Sequence, residues 1–168
     1  GKEASVYLCR ANRSTTGRDL AALKLYHPLD RRDFRDESIY RDGEWINERR
    51  IRVALAKKTK FGREVQGGIW VHREWETLST LSAAGAAVPE PIAWTGDAIL
   101  MSYVGDEDAA APQLNRYRPD RDEVQALFDQ LMAQVERFLY GNVIHGDLSP
   151  FNVLVWDGHV TIIDLPQA

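Results

Sequence analysis

Asp147, Asn152 and Asp164 are the residues of this chain whose types and spacing define a chemistry. They stand in Val143-Ile144-His145-Gly146-Asp147-Leu148-Ser149-Pro150-Phe151-Asn152-Val153-Leu154-Val155 and in Ile162-Ile163-Asp164. The pattern is an aspartate, an asparagine five residues on and a second aspartate twelve residues beyond, each beside an apolar strand-like run. Magnesium-assisted phosphoryl transfer from ATP needs a group that positions the attacking oxygen, groups that hold the cation on the phosphates, and a positive charge that neutralises them. Asp147 can take the proton of an incoming hydroxyl as catalytic base. Asn152 supplies a neutral amide oxygen and Asp164 a charged one, both hard ligands for magnesium. One aspartate near a turn is an ordinary turn residue; three oxygen donors at this spacing, flanked by two strands, state a reaction class.

The positive charge is assigned to Lys24, in Ala22-Leu23-Lys24-Leu25. Leu23 and Leu25 alternate with it, so Lys24 points to the opposite face of a strand. A lysine in a strand is more often solvent-facing, but Ala22-Leu23-Lys24-Leu25 is similar to the segment that carries the strand lysine of kinases. It then requires a carboxylate to hold it. Glu74 is chosen over Glu76, because Glu74 shares a helix face with Trp70, Leu78 and Leu81, which must pack inward. Gly1-Lys2-Glu3-Ala4-Ser5-Val6-Tyr7 precedes the first strand and reads as the end of a phosphate-covering loop, with Lys2 and Ser5 as phosphate neighbours. His27, His72 and His159 have no Cys or His partner at ligand spacing, which argues against zinc. His145 is expected to buttress the catalytic loop by hydrogen bonding. The five Trp residues are read as packing residues.

Several elements must position these groups. Ser5 to Cys9 and Leu20 to Tyr26 read as two strands, with a polar turn from Asn12 to Gly17. Ile69 to Ala83 reads as a helix ended by Gly85, after which Pro89 and Pro91 force an extended segment. Ile92 to Trp94 and Ala98 to Ser102 form a second hairpin, turning at Gly96-Asp97. Asp120 to Tyr140 is an amphipathic helix with Val124, Leu127, Phe128, Leu131, Val135 and Phe138 on one face. Val153 to Trp156 and Val160 to Ile163 pair through Asp157-Gly158. The expected organisation is an N-lobe over 1–104, rich in β-structure with one helix and a long insertion at 27–68, and a partial C-lobe over 105–168.

Composition sets limits on this reading. The chain has 168 residues and a formal charge of −4, which gives no reason to expect nucleic-acid binding by the whole chain. Cys9 is the only cysteine, so no internal disulfide forms, and a reducing, cytoplasmic setting is expected. No run is long enough to cross a membrane, and no signal peptide is seen. The abrupt start at Gly1 and the stop four residues after Asp164 read as cuts through a larger protein. Within the insertion, Arg49, Arg50, Arg52, Lys57, Lys58 and Lys60 form a basic run. It reads either as a solvated segment or as a docking surface for an acidic, ribosomal or RNA partner.

These residues together resemble the RIO-type atypical serine/threonine protein kinases. The likeness runs through Gly1-Lys2-Glu3-Ala4-x-Val6-Tyr7, Leu23-Lys24-Leu25-Tyr26, Trp70-x-x-Arg73-Glu74, Val88-Pro89-x-Pro91, Leu100-Met101-Ser102-Tyr103-Val104-Gly105, Ala111-Pro112-x-Leu114, His145-Gly146-Asp147-Leu148-Ser149-x-x-Asn152 and Asp164-x-x-Gln167. The long insertion and Ala111-Pro112 are most similar to the RIO1-like branch. The resemblance implies an α+β, bilobal protein-kinase-like fold, compact, without an activation segment or peptide-binding subdomains. It implies ATP with Mg2+ (or Mn2+), a Lys24–Glu74 ion pair, Asp147 as base, and Asn152 and Asp164 as metal ligands. Val6 and Met101 would then border the nucleotide, backbone groups of Ser102 and Val104 would bond adenine, and Pro112 would lie nearby. The activity implied is autophosphorylation or phosphorylation of a protein substrate on serine or threonine. ATP hydrolysis with Asp164 as transient acceptor is the other implied course. Relatives act in maturation of the small ribosomal subunit.

Three positions depart from ordinary protein kinases. Gly146 stands for an arginine, so no guanidinium is present to pair with an activation-loop phosphate. Ser149 stands for a lysine, which removes a cation near the transferred phosphate. Asp164-Leu165-Pro166 stands for Asp-Phe-Gly, and Pro166 fixes its own φ. Together with the early end of the chain, these argue against recognition of extended peptides. Two other readings therefore stand beside the kinase: an ATPase-type ribosome-assembly switch, and a small-molecule phosphotransferase similar to aminoglycoside or choline kinases.

Overall fold

The computed structural model describes residues 4–27 and 60–165, the side chains of 60–66 excepted. Lys2, the basic run from Arg49 to Lys58, and Pro166 and Gln167 lie outside the described residues. In chain order the elements are β1 (Ala4–Arg10), α1 (Arg13–Thr16), β2 (Leu20–Tyr26), α2 (Lys60–Ala83), β3 (Pro91–Trp94), β4 (Ala98–Ser102), α3 (Arg121–Tyr140), β5 (Val153–Trp156) and β6 (His159–Ile162). The first four strands make an antiparallel sheet in the order β1-β2-β4-β3, and β5 and β6 make a two-stranded one.

The polar stretch expected as a simple turn between β1 and β2 contains one turn of helix, α1. Asn12 starts it, its side chain accepting from the Ser14 N–H at 3.0 Å, and Gly17 ends it at φ +72°. That is the ordinary pairing of an Asx N-cap with a left-handed glycine C-cap. The β1–β2 register sets Val6 opposite Lys24, and β2–β4 sets Ala22 opposite Met101 and Lys24 opposite Ile99. Opposed residues share a face, so Val6, Lys24 and Ile99 lie on one side of the sheet. At Ile99 that side packs with residues of α2, while Val6 on the edge strand is 63% exposed. Val71, Leu78 and Leu81 on α2 are fully or almost fully buried, as is Ile99.

Helix α2 begins at Lys60, eight residues before the end expected for the insertion at Gly68. Gly62, Gly67 and Gly68 argue for a break by propensity, each costing about 1 kcal/mol against alanine. Helix formation overrides that local cost, as tertiary packing routinely does. The helix ends as expected: Gly85 takes φ +73°, and Ala86 N–H returns to the Leu81 carbonyl at 3.0 Å.

The apolar face expected on α3 needs correction. Leu127, Gln134 and Phe138 are buried, with Leu131 packed against the same core, whereas Val124 and Phe128 are 51% and 55% exposed. The inward stripe therefore runs 127-131-134-138 and contains a glutamine, which hydropathy alone excludes. Gln134 is held there because its Oε1 accepts the Ala87 N–H at 2.7 Å. A neighbouring glutamine, Gln130, donates to the Gly158 carbonyl at 2.8 Å and accepts from Val160 N–H at 3.2 Å. These two amides fasten α3 to the loop after α2 and to the β5–β6 turn.

Both edges of the β5–β6 hairpin are occupied. Ile162 N–H donates to the Ala87 carbonyl at 2.7 Å on one side, while Leu114 N–H reaches Val153 O and Val155 N–H reaches Pro112 O on the other, at 2.8 and 3.0 Å. Asp157 and Gly158, at φ +49° and +72°, make the tight turn that joins the two strands. Between the two sheets the chain passes through Gly105 at φ +135°, a conformation that favours glycine. A Cβ there would stand 2.4 Å from the Ala109 carbonyl oxygen. Gly105→Ala should therefore lower stability by about 2 kcal/mol or more. Gly158→Ala, with open space around it, should lose only about 1–2 kcal/mol from its positive φ. Urea unfolding of both variants checks the difference.

Candidate active site

Lys24 is 7% exposed and Glu74 4%, and they meet at 2.6 Å between Nζ and Oε1. β2 and α2 make this contact by their own periodicities. Ala22, Lys24 and Tyr26 are the buried alternate residues of β2, while Leu23 and Leu25 are half-buried on the other face. Trp70, Glu74, Leu78 and Leu81 form the buried line of α2. Glu76 sits off that line and pairs with His72 at 3.3 Å near the surface. The carboxylate that meets Lys24 is thus the one on the packed face. Its second oxygen accepts a hydrogen bond from the Tyr26 hydroxyl.

Lys24 Nζ has a second carboxylate partner, Asp164 Oδ1, also at 2.6 Å. Asp164 follows β6 at φ +66°, a left-handed geometry that aspartate tolerates better than most residues. Its neighbour Ile163 donates its N–H to the Asn152 carbonyl at 2.9 Å. That bond continues the β5–β6 ladder by one step, so Asn152 and Asp164 leave the hairpin side by side. Asn152 Nδ2 donates to the Asp147 carbonyl at 2.9 Å and to Asp147 Oδ2 at 3.2 Å. Those acceptors fix the amide orientation, and Asn152 Oδ1 is the atom left to face a cation.

His145 buttresses this loop. It is 5% exposed, lies parallel to the Phe138 ring at 6.3 Å between centroids, and has Nε2 3.0 Å from the Ile163 carbonyl. Asp147 N–H donates to Nδ1 at 3.3 Å, which makes Nδ1 the acceptor and places the ring proton on Nε2. One imidazole therefore ties the backbone of Asp147 to that of the strand end carrying Asp164.

These groups line a cleft of about 490 Å³ between the two sheets. Val6, Ala22 and Met101 border it from the larger sheet, and Leu154, Ile163 and Leu165 from the smaller one. Apolar walls with a few convergent polar groups are the usual form of a small-molecule site. Lys24, Glu74, Met101, Ser102, Val104, Asp147, Asn152 and Asp164 all line it, as does Val6. Ser5 does not line the cleft. One residue from Val6 in a strand, it lies on the other face, where its hydroxyl pairs with His27 Nε2 at 2.8 Å. Pro112 is also absent from the lining, its carbonyl being used by Val155, while Ala111 and Gln113 on either side are present. The hinge backbone is partly engaged too. Ser102 N–H donates to Glu90 O at 2.8 Å and Val104 O accepts from Ala111 N–H at 3.0 Å. The backbone groups of these two residues outside those bonds are the Ser102 carbonyl and the Val104 N–H. Ala22, Leu154 and Tyr26 were overlooked in the sequence although alternation marks them: Ala22 and Tyr26 sit two residues either side of Lys24, and Leu154 faces opposite Val153 and Val155.

The charge in the cleft is unbalanced. Among the described residues, Glu74, Asp147 and Asp164 oppose Lys24 alone, leaving two negative charges. No group of three His, Cys, Asp or Glu side chains among them converges as a metal cage. One or two protein oxygens completed by substrate phosphates is how magnesium is usually held, and Asp164 with Asn152 Oδ1 fits that habit.

A family model described as the RIO domain matches residues 5–168. The chain belongs to the RIO family. It is 31% identical over its whole length to the RIO-type serine/threonine-protein kinase Rio1 of Haloferax volcanii, and 30% identical to the human serine/threonine-protein kinase RIO1. It spans 52% of the first relative and 28% of the second. Among solved structures it is similar to the Rio2 kinase of Chaetomium thermophilum, with a TM-score of 0.64 at 25% identity, over 99% of this chain and 46% of that one. The same kinase in complex with ADP, Mg2+ and phosphoaspartate gives a TM-score of 0.65 at 24% identity, covering 99% and 45%. The fold of this RIO domain is therefore kinase-like, α+β, with the antiparallel sheet above the cleft. No helix among the described residues is long and apolar enough to cross a membrane.

Burial disfavours the Lys24 ammonium, but attraction to Glu74 and then to Asp164, with a hydrogen bond to each, holds its pKa above the usual 10.5. A folded-state pKa raised above the unfolded one gives a stability contribution that is complete below the unfolded value and is lost as pH rises through the folded one. The stability difference between wild type and Lys24→Met should thus be constant from about pH 8 to about pH 10 and move in favour of the variant above about 10.5. Thermal unfolding of both proteins across that range measures it.

Proposed function

We propose that this RIO domain transfers the γ-phosphoryl group of ATP to a serine or threonine hydroxyl, with Mg2+ (or Mn2+) as the cation. The observation that carries the reading is the convergence of Lys24, Glu74, Asp147, Asn152 and Asp164 on one cleft with two negative charges in excess. Lys24 neutralises phosphate charge and Glu74 keeps it in place. Asp147 orients the acceptor hydroxyl and takes its proton, with Asn152 holding the carboxylate's loop. Asn152 Oδ1 and Asp164 would hold the cation, whose role is to screen charge on the phosphates. Val6, Ala22 and Met101 would enclose the base, with the Ser102 carbonyl and Val104 N–H as its polar contacts. In this reading residues 1–104 and 105–168 are the two lobes about the cleft.

The family relationship supports a kinase, since the relatives named above are serine/threonine-protein kinases. ATP hydrolysis shares every residue invoked and differs only in the acceptor. The deciding experiment incubates the protein with γ-labelled ATP and Mg2+, alone, with protein acceptors and with small hydroxylated acceptors. Label on protein serine or threonine is expected; release as inorganic phosphate alone would make the domain an ATPase, and label on a small molecule alone would overturn the protein-kinase reading. Lys24→Ala, Asp147→Asn and Asp164→Asn should each lower turnover by about 100-fold or more, the usual loss on removing one preorganised electrostatic group. Near-normal turnover in all three would remove the site assignment.

A further inference from the structure

We propose that Tyr26 is a positioning residue for the same reaction, acting on the phosphates through Glu74 and Lys24; the inference rests on the reading of the cleft as a phosphotransfer site. Strand alternation puts Tyr26 on the face of β2 that carries Lys24, and it is 5% exposed. Its hydroxyl donates to Glu74 Oε2 while Lys24 Nζ takes Oε1. One strand thus holds both oxygens of a carboxylate on the facing helix, from two positions a single alternation apart. The Tyr26 ring also stands 5.1 Å from Lys24 Nζ, within cation–π reach. The tyrosine is itself anchored, because its backbone N–H donates to the Asp97 carbonyl at 2.8 Å.

The need for this clamp follows from the two partners of Lys24. Glu74 and Asp164 compete for the ammonium at equal distance, 2.6 Å. For phosphate binding the ammonium must keep Glu74 and give up Asp164, whose oxygens are then available to a cation. With Oε2 fixed by the Tyr26 hydroxyl, the Glu74 carboxylate cannot rotate away and Lys24 stays on the helix side. Without the hydroxyl, a nearly fully buried carboxylate oxygen loses that donor and the carboxylate turns to find another. Lys24 then moves onto Asp164 and opposes cation binding there. A role in packing alone predicts lower stability and no change in cation requirement.

The test uses the whole chain with ATP and a Mg2+ titration. Tyr26→Phe keeps the ring and removes only the hydroxyl. Its kcat should fall by roughly tenfold, the scale typical of a lost outer-shell partner, and the Mg2+ needed for half-maximal turnover should rise by about threefold or more. Its thermal midpoint should stay within a few degrees of wild type. Since the effect passes through Glu74, Tyr26→Phe combined with Glu74→Gln should be no slower than Glu74→Gln alone. Wild-type kcat and Mg2+ dependence in Tyr26→Phe would overturn the proposal. So would losses that multiply in the double variant, or a Tyr26→Phe protein that unfolds where Glu74→Gln remains folded. If Lys24→Ala and Asp164→Asn are also unimpaired, the phosphotransfer reading itself fails; if only Tyr26→Phe is unimpaired, that reading stands and the clamp does not.

Discussion

The ammonium of Lys24 is the charge around which the described structure is arranged. Removing such a group from water costs several kcal/mol, more than a single surface contact returns. It remains charged because two carboxylates from distant parts of the chain reach it, one 50 and the other 140 residues further along the sequence. Each comes from an element whose packing is settled elsewhere. α2 is held by Val71, Leu78 and Leu81, and the β5–β6 hairpin by Val153, Val155, Val160 and Ile162. The site thus draws on the apolar core for the energy that a buried ion pair does not supply. A buried pair is often no better for stability than well-packed apolar groups, so its presence here is a matter of positioning.

Positioning requires that the two sheets keep a fixed separation. The loop after α2 meets this need: Ala87 gives its N–H to Gln134 and its carbonyl to Ile162 N–H. A single residue is thereby bonded to the helix and to the strand that carries Asp164, and it lies directly after the helix that carries Glu74. On the opposite edge, Pro112 to Leu114 pair with β5 just after the hinge. The loop after α2 and the segment after β4 are thus hydrogen-bonded to the same hairpin. Displacement of α2 against the catalytic loop would break these bonds together, which links the Lys24–Glu74 contact to the hairpin geometry.

The sequence made the reacting groups legible because each belongs to a short-range pattern. Asp147, Asn152 and Asp164 are spaced by one loop and one hairpin, and Glu74 by helical periodicity. Lys24 was legible only through the likeness of its segment to the strand lysine of kinases, since the two leucines beside it are the residues that hydropathy would bury; the fold buries the lysine instead. The α3 face was misread for a related reason. Its apolar residues fall on two stripes, and the buried one is set by Gln134, a polar residue satisfied by Ala87 from another element. Ser5 was placed near phosphates as the end of a loop before β1, and Pro112 near the nucleotide by the family resemblance, yet strand alternation sends the Ser5 side chain to the far face and the β5 edge engages the Pro112 carbonyl. The start of α2 was missed because the stretch before Ile69 is polar and weakly periodic. For Lys24, Gln134 and Pro112 the outcome was decided by a partner far away in the chain.

The charge count explains why Lys24 needs two partners rather than one. With Asp147 and Asp164 both facing the cleft, a lone Lys24–Glu74 pair would leave two carboxylates uncompensated in a confined volume. Sharing the ammonium with Asp164 relieves part of that repulsion and keeps Asp164 oriented at its left-handed φ. In the phosphotransfer reading, Asp164 and Asn152 Oδ1 would hold a divalent cation that supplies this compensation, which would leave the Lys24 ammonium to turn toward phosphates. In that reading Lys24 would have only to pass from the Asp164 carboxylate to a phosphate, across a distance set by its own side chain. That would be a small motion, in keeping with the low reorganisation cost that phosphoryl transfer asks of a site.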